Sequence, residues 1–199
     1  MRRNFVQLCL LIFTSIVVVD SNASGLGFTL GVGFEDWDDT LIDETRNLKN
    51  IGFVIDTNVA QDRVFNYRFT MVREENNGYS VDMKGIVMTH DFGFGVFRNE
   101  RVRFWLGPEL RAVIYDDVSA NQDSTIFNSS GDSLGYGLGL VVAANFHVSK
   151  LASIGISARY FGGFSGYTRD DYWESSDSDV DSRGIYLNVS VLFRMDDEY

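Results

Sequence analysis

The sequence contains one cysteine, Cys9, and one proline, and its acidic residues outnumber its basic ones. A lone cysteine excludes an internal disulfide and a metal site built from several cysteines. The 17 Lys and Arg against 28 Asp and Glu give a net charge of −11, which argues against nucleic acid as a partner, because phosphate binding needs a basic face. One proline beside 19 glycines, 16 Phe and 9 Tyr favours a β-rich chain.

Long apolar runs are also missing after residue 19, which excludes a membrane protein built from spanning helices of about 18 residues or more. The apolar run before that point follows Arg2 and Arg3 and ends at small residues up to Ala23. This layout predicts a secretory signal peptide over residues 1–23, cleaved after Ala23. The alternative, an N-terminal anchor, is disfavoured because a run of about 15 residues is short for a span. Residues 24–199 then form one domain without cysteine.

Apolar residues alternate with small or polar ones in eight segments, which is the pattern of strands. In the fourth segment the alternation changes phase near residues 89–91, which predicts a β-bulge there. The eight segments are 26–35, 51–59, 65–71, 79–96, 102–115, 135–147, 153–160 and 185–194.

The apolar rows of these segments are unusually pure and aromatic, whereas the opposite rows mix glycines with isolated charges of both signs. That distribution predicts apolar side chains facing lipid and the mixed row facing a narrow lumen. Backbone polar groups in hydrocarbon must all be bonded internally, so the sheet must close. We therefore predict an all-β fold, an eight-stranded antiparallel up-and-down transmembrane β-barrel. The alternative is a soluble sandwich or lipocalin-like barrel that buries the rows 26–34 and 185–193.

The connections between the segments alternate between short and long. Residues 61–63, 98–100 and 147–150 are predicted as short turns, and 38–50, 117–133 and 169–182 as longer polar loops. Short turns of bacterial barrels face the periplasm and longer loops face outward. Both chain ends are therefore predicted at the periplasmic side.

The chain resembles small eight-stranded outer-membrane barrels of the OmpA/OmpX and OmpW type. The last segment, 188–195, is similar to the C-terminal assembly signal of such proteins, except that Ser190 replaces its glycine and three acidic residues precede Tyr199. The resemblance implies a monomer in the bacterial outer membrane, inserted by the barrel assembly machinery. It implies contact with outer-membrane lipid and lipopolysaccharide, and no cofactor.

The mixed rows carry the first candidate site, a set of charges in the lumen. Because eight strands enclose just enough space for side chains, we expect these charges to pair and fill the barrel. The alternative is a narrow gated path for ions. The candidate residues are Glu35, Asp56, Arg68, Asp82, Lys84, Arg103, Glu109, Arg111, Arg159 and Arg194.

The last long loop carries the second candidate, a set of acidic residues around one tryptophan. Hard cations prefer carboxylate oxygens, but Ser182 and Asn188 stand where a calcium loop needs glycine and glutamate, so no metal site is assigned. The alternatives are a solvated loop, or divalent cations bridging to lipopolysaccharide, with the tryptophan as a contact outside the cell. The candidates for cation or partner contacts are Asp170, Asp171, Trp173, Glu174, Asp177, Asp179 and Asp181.

A third candidate, His147 with Ser149, resembles the His-x-Ser pair of outer-membrane lipid A deacylases, in which the histidine is the base and the serine the nucleophile. The pair falls in a turn predicted to be periplasmic, and no acid is placed to orient the imidazole, so we predict no enzyme. We expect a structural or surface-interaction role. A narrow channel for small or apolar solutes is the alternative, and a lipid-modifying enzyme ranks third.

Overall fold

The computed structural model describes residues 25–38, 43–57, 64–120, 133–170 and 175–194, and within these ranges no helix is long and apolar enough to span a membrane. Each strand pairs antiparallel with its chain neighbours, and the last pairs with the first, so the sheet is a closed barrel. The predicted eight-stranded, antiparallel, up-and-down fold is confirmed. The strands are β1 (Gly25–Asp38), β2 (Asp43–Asp56), β3 (Phe65–Asn77), β4 (Val81–Arg98), β5 (Val102–Ala120), β6 (Ser133–His147), β7 (Ala152–Asp170) and β8 (Ser175–Arg194).

The outside of the barrel is an apolar belt, as the alternation predicts. Phe34 and Leu138 each expose more than 60% of their surface, and Ile185 exposes 58%. Glycines and polar residues at the intervening positions point inward and are largely buried. The alternative in which rows 26–34 and 185–193 are buried is wrong. An exterior of this kind is stable only against an apolar surrounding such as lipid.

The strands extend further than the alternation predicts at the end opposite the chain termini. β1 and β2 remain paired as far as Asp38 and Asp43, and β7 and β8 as far as Asp170 and Ser175. Most of the predicted loops 38–50 and 169–182 is therefore strand. Beyond the belt the outward face of a strand meets water instead of lipid, so its side chains no longer need to be apolar and the alternating hydropathy signal disappears while the ladder continues.

The phase change predicted near residues 89–91 is wrong. Val81, Met83 and Val87 all point inward with Asp91, in one unbroken row of β4. The register shifts between β4 and β5 lie instead between Lys84 and Gly85 and between Gly95 and Phe97. The inward row is apolar here because it packs in a core inside the barrel, formed by Trp37, Val72, Val81, Met83, Val87, Val113 and Tyr115.

β4 and β5 approach each other closely at Gly107. A Cβ atom there would lie 1.9 Å from the carbonyl oxygen of Phe92 on β4. Only glycine fits such an approach of two backbones. The tight curvature of an eight-stranded wall therefore depends on a glycine at this inward position.

Candidate functional site

The lumen contains equal numbers of buried positive and negative side chains among the described residues. Five carboxylates and five guanidinium groups are buried, so their formal charges cancel, 5 − 5 = 0. Burying a charge without a partner is costly, which explains the balance. These residues are Glu35, Asp56, Glu74, Asp91 and Glu109, with Arg46, Arg68, Arg103, Arg111 and Arg159.

Most charges predicted for the lumen lie inside the barrel, and two do not. Inside and buried are Glu35, Asp56, Arg68, Arg103, Glu109, Arg111 and Arg159. Arg194 is half-buried at the last residue of β8. Asp82 and Lys84 belong to the outward row of β4, so their assignment to the lumen is wrong. It followed from the misplaced phase change.

The alternation missed three charges of the lumen, Arg46, Glu74 and Asp91. Arg46 and Glu74 lie where β2 and β3 extend beyond the belt, and Asp91 lies at the supposed phase change. Extending the period of two backward from Asp56 reaches Arg46 on the inward row. That extension is the signal that could have found it.

At the end near the termini, Arg68 joins three strands. Its Nε and Nη2 donate to one oxygen of Asp56 at 3.0 and 2.6 Å, and Nη2 also donates to Asn145 Oδ1 at 2.7 Å. The guanidinium carbon lies 4.9 Å from the ring centroid of Trp105. Both charges of the Arg68–Asp56 pair are withdrawn from solvent at this end of the lumen.

In the middle of the barrel Arg159 lies between two carboxylates. Its Nη2 is 2.8 Å from Asp91 Oδ2, and its Nε is 2.8 Å from Glu109 Oε2. Its Nη1 donates to Asn188 Oδ1 at 2.9 Å. Asp91 and Glu109 are direct cross-strand partners on β4 and β5. One arginine from β7 thus holds together like charges that would otherwise repel each other across the strand pair.

Further from the termini, Glu74 is the centre of a third group. Arg111 Nη2 donates to Glu74 Oε1 at 3.0 Å, and the Tyr115 hydroxyl donates to the same oxygen at 2.9 Å. The Tyr186 hydroxyl donates to the other oxygen, Oε2. The guanidinium carbon of Arg111 also lies 4.4 Å from the ring centroid of Phe161. The carboxylate is therefore satisfied from three directions.

Still further from the termini, Arg46 on β2 is fully buried. Its Nε donates to Asn76 Oδ1 at 2.6 Å, and its guanidinium carbon lies 4.3 Å from the ring centroid of Trp37. Asn76 donates in turn to Glu35. A cavity of about 10 Å³ lies between strands in this region, which is room for about one water. Its lining includes Glu35, Arg111, Phe161 and Ser182.

Four of the seven candidates predicted for the last loop lie on strands. Asp170 lies on β7, whereas Asp177, Asp179 and Asp181 lie on β8, with Asp181 exposed. Asp171, Trp173 and Glu174 fall outside the described residues, as do the predicted signal peptide and Cys9. In the part of the chain that is described, no three His, Cys, Asp or Glu residues form a group able to hold a metal ion.

His147 and Ser149 are not arranged as a base and a nucleophile. The Ser149 hydroxyl accepts hydrogen bonds from the backbone N–H groups of Leu151 and Ala152, at 3.2 and 3.0 Å, and so stabilises the turn between β6 and β7. The Nδ1 atom of His147 lies 3.0 Å from the hydroxyl of a different serine, Ser153, which is fully buried.

Three solved structures share the fold of this chain. The outer membrane protein OprG from Pseudomonas aeruginosa has a TM-score of 0.62 at 8% identity, covering 88% of this chain and 97% of its own. AlkL, an outer membrane protein solved in DMPC bilayers, has a TM-score of 0.57 at 15% identity, covering 91% and 95%. Neisserial surface protein A has a TM-score of 0.50 at 14% identity, covering 85% and 97%.

The sequence matches no protein-family model, and no curated protein sequence matches it. At identities of 15% or less the structural likenesses establish the fold alone. The chain has the fold of the small eight-stranded outer-membrane barrels, which confirms the fold that the resemblance implies.

Proposed function

We propose that this protein is a monomeric outer-membrane barrel with a closed, non-conducting lumen, and that its role is structural or lies in surface interactions at its outer end. The observation that carries the proposal is the neutral set of five buried acids and five buried arginines across the lumen. The machinery that assembles such barrels and the lipids around them are the partners that the proposal includes.

A path for ions would have to separate pairs such as Arg68–Asp56, which are withdrawn from solvent. Removing one partner of a buried ion pair costs about 3–5 kcal/mol, so spontaneous opening by this route is rare. Among the described residues the buried charges of the lumen cancel, and they form no ring of like charge of the kind by which pores select ions. Both arguments favour a lumen that is closed by packed side chains over a gated path for ions.

The strands beyond the belt support a surface role, because they form a rim that is ordered by its own contacts. Both Tyr79 and Ser80 donate backbone hydrogen bonds to the Glu44 carboxylate, at 3.1 and 2.9 Å, which ties the β3–β4 turn to β2. On the outer face the Thr45 hydroxyl donates to Asp36 at 2.7 Å. A preorganised surface loses less entropy on binding than a flexible loop.

Planar-bilayer conductance of the refolded mature chain tests the proposal. Folding is checked first by heat-modifiable migration on a gel in detergent. We expect a folded barrel that gives no current steps over a range of voltages. Reproducible small steps from the folded barrel would overturn the closed lumen and favour the narrow channel. Folding without any detergent or lipid would contradict the membrane placement itself.

Two double variants extend this test. The interior variant, Arg111→Ala with Phe161→Ala, removes two side chains that line the small cavity. The control variant, Tyr160→Ala with Leu138→Ala, removes two side chains from the exterior. If packed side chains close the lumen, only the interior pair should give leak current. Current from wild type and both variants alike would place the conducting path elsewhere and contradict the proposal. The expectation that the chain is no enzyme stays a prediction.

A further inference from the structure

The last strand ends against two neighbouring turns at the end of the barrel near the chain termini. The turn between β4 and β5 adjoins the turn between β6 and β7, because the His147 N–H donates to the carbonyl oxygen of Arg101 at 2.8 Å. The N–H of Arg194, the last residue of β8, donates to the carbonyl oxygen of Leu151 at 2.9 Å. The end of β8 is therefore fixed beside the second turn.

The two turns present a surface that is both basic and apolar. Val148 and Leu151 expose 65% and 59% of their surface, and the side chains of Arg101 and Lys150 are exposed beside them. We call these four residues the basic turn patch. A binding segment can pair acids with the two cations and pack apolar side chains on the valine, the leucine and the basic stems.

The backbone under the basic turn patch is ordered by side-chain caps. In the first turn the Asn99 Oδ1 atom accepts hydrogen bonds from the N–H groups of Arg101 and Val102, at 2.9 and 2.8 Å. In the second turn the Ser149 hydroxyl accepts two backbone hydrogen bonds in the same way. A segment that binds here meets a preorganised surface, which lowers the entropy cost of binding.

This end of the barrel is basic, whereas the chain as a whole carries a net charge of −11. Among the described residues, one acid and four cations at this end have side chains that are exposed or half-buried, so their net charge is 4 − 1 = +3. These residues are Glu100, with Arg98, Arg101, Lys150 and Arg194. The patch therefore favours a partner with several carboxylates.

The sequence that follows β8 has this chemistry. Residues 195–199 read Met-Asp-Asp-Glu-Tyr, with three carboxylates between two apolar side chains. They lie outside the described residues, and their acids are the departure from the assembly signal of related barrels. Five residues span at most about 17 Å, whereas Arg101, directly before β5, is three inter-strand spacings from β8, about 15 Å. The whole patch is within reach of this segment.

We propose that the acidic segment 195–199 binds the basic turn patch of its own chain. Its carboxylates pair with Arg101 and Lys150, and its apolar side chains pack against Val148 and Leu151. The contact fastens the end of β8, the strand that closes the barrel against β1, to the turns that precede β5 and β7. This inference rests on the fold and the sequence, and it is independent of the closed lumen.

The test is the rate of disulfide formation in the folded barrel between a cysteine appended after Tyr199 and Val148→Cys. The predicted mature chain has no cysteine of its own. The control combines the appended cysteine with Val64→Cys, which is 59% exposed directly before β3, three strands from β8 in the other direction. An unbound segment reaches both positions. Since each exposed ion pair shifts an equilibrium by up to about fivefold, we expect Val148→Cys to react on the order of tenfold faster.

Charge variants show whether the cations cause the preference. Arg101→Gln with Lys150→Gln should abolish it, whereas Lys49→Gln with Lys84→Gln removes the same charge from exposed positions at the opposite end and should leave it unchanged. Asp196→Asn, Asp197→Asn and Glu198→Gln together should also abolish the preference. This last variant changes only residues beyond β8, so it tests the same contact should the turn variant fail to fold.

Equal rates at Val148→Cys and Val64→Cys would overturn the proposal, and so would a preference that survives Arg101→Gln with Lys150→Gln. Disulfides that join two chains, seen as dimers on a non-reducing gel, would assign the patch to a second copy. A preference that is present in detergent and absent in phospholipid vesicles would assign the patch to lipid. Either of these results also overturns the proposal.

Discussion

Arg68 and Asp56 face each other on β3 and β2, joined by two hydrogen bonds to one carboxylate oxygen, with about 1% or less of either side chain exposed. Arg73 and Asp116 form a pair of similar distance on the outside, with 43% and 53% exposed. The two pairs share their chemistry and differ in burial. They therefore separate the energetics of the lumen from those of the rim.

Arg68→Met is predicted to destabilise the barrel by about 3–5 kcal/mol, because Asp56 is left as an uncompensated buried charge. The measurement is urea unfolding in lipid vesicles, followed by heat-modifiable migration. Arg73→Met is the control, with an expected loss of at most about 1 kcal/mol. Equal losses from the two substitutions would mean that water reaches the Arg68 pair and that the lumen is not sealed at this end.

Tyr186→Phe is predicted to cost about 1.5–3 kcal/mol, since the hydroxyl donates to the buried carboxylate of Glu74, a bond to a charged group. Tyr160→Phe is the control, because Tyr160 is on the outside with 52% of its surface exposed. The same unfolding assay compares the two. In the Glu74→Gln background the effect of Tyr186→Phe should shrink, because the acceptor is no longer charged. An undiminished effect there would show that the hydroxyl stabilises the barrel by another contact.

The sequence predicts the belt and the closed barrel well because lipid imposes a strict rule on one face of each strand. The requirement for apolar outward side chains holds only where the strands contact lipid. The alternation pattern does not reveal Arg46 and Glu74, because they lie beyond the belt. β4 violates the rule on both faces. Val87 is apolar and points inward, whereas His90 is polar, sits on the outward row and lies 2.8 Å from the Tyr67 hydroxyl. Hydropathy cannot distinguish a dry core inside the barrel from lipid outside it, so the phase of β4 was misassigned.

Gly107→Ala is predicted to destabilise the barrel by about 3 kcal/mol or more, at the upper end of overpacking, because its Cβ would meet the Phe92 carbonyl oxygen at 1.9 Å. Backbone atoms cannot move aside without parting β4 from β5. Gly162→Ala is the control, since its nearest neighbour would be 3.9 Å away. There a gain of about 0.4–1 kcal/mol is expected from the reduced freedom of the unfolded chain. Unfolding midpoints in vesicles that coincide for the two variants would contradict the close approach.

Site-directed labelling is predicted to distinguish the two sides of β4. Cys9 is the sole cysteine and lies in the predicted signal peptide, so the predicted mature chain has no cysteine of its own. A single introduced cysteine is then the only one that a thiol-reactive label can modify. A fluorophore on Ile86→Cys should be quenched by brominated lipid, because Ile86 is 42% exposed on the outward row. Val87→Cys, one residue on, should resist labelling in the folded barrel, because Val87 is 1% exposed within the inner core. A phase change at residues 89–91 requires the reverse, with Val87 in lipid. Quenching at Val87 and protection at Ile86 would therefore restore Lys84 to the lumen.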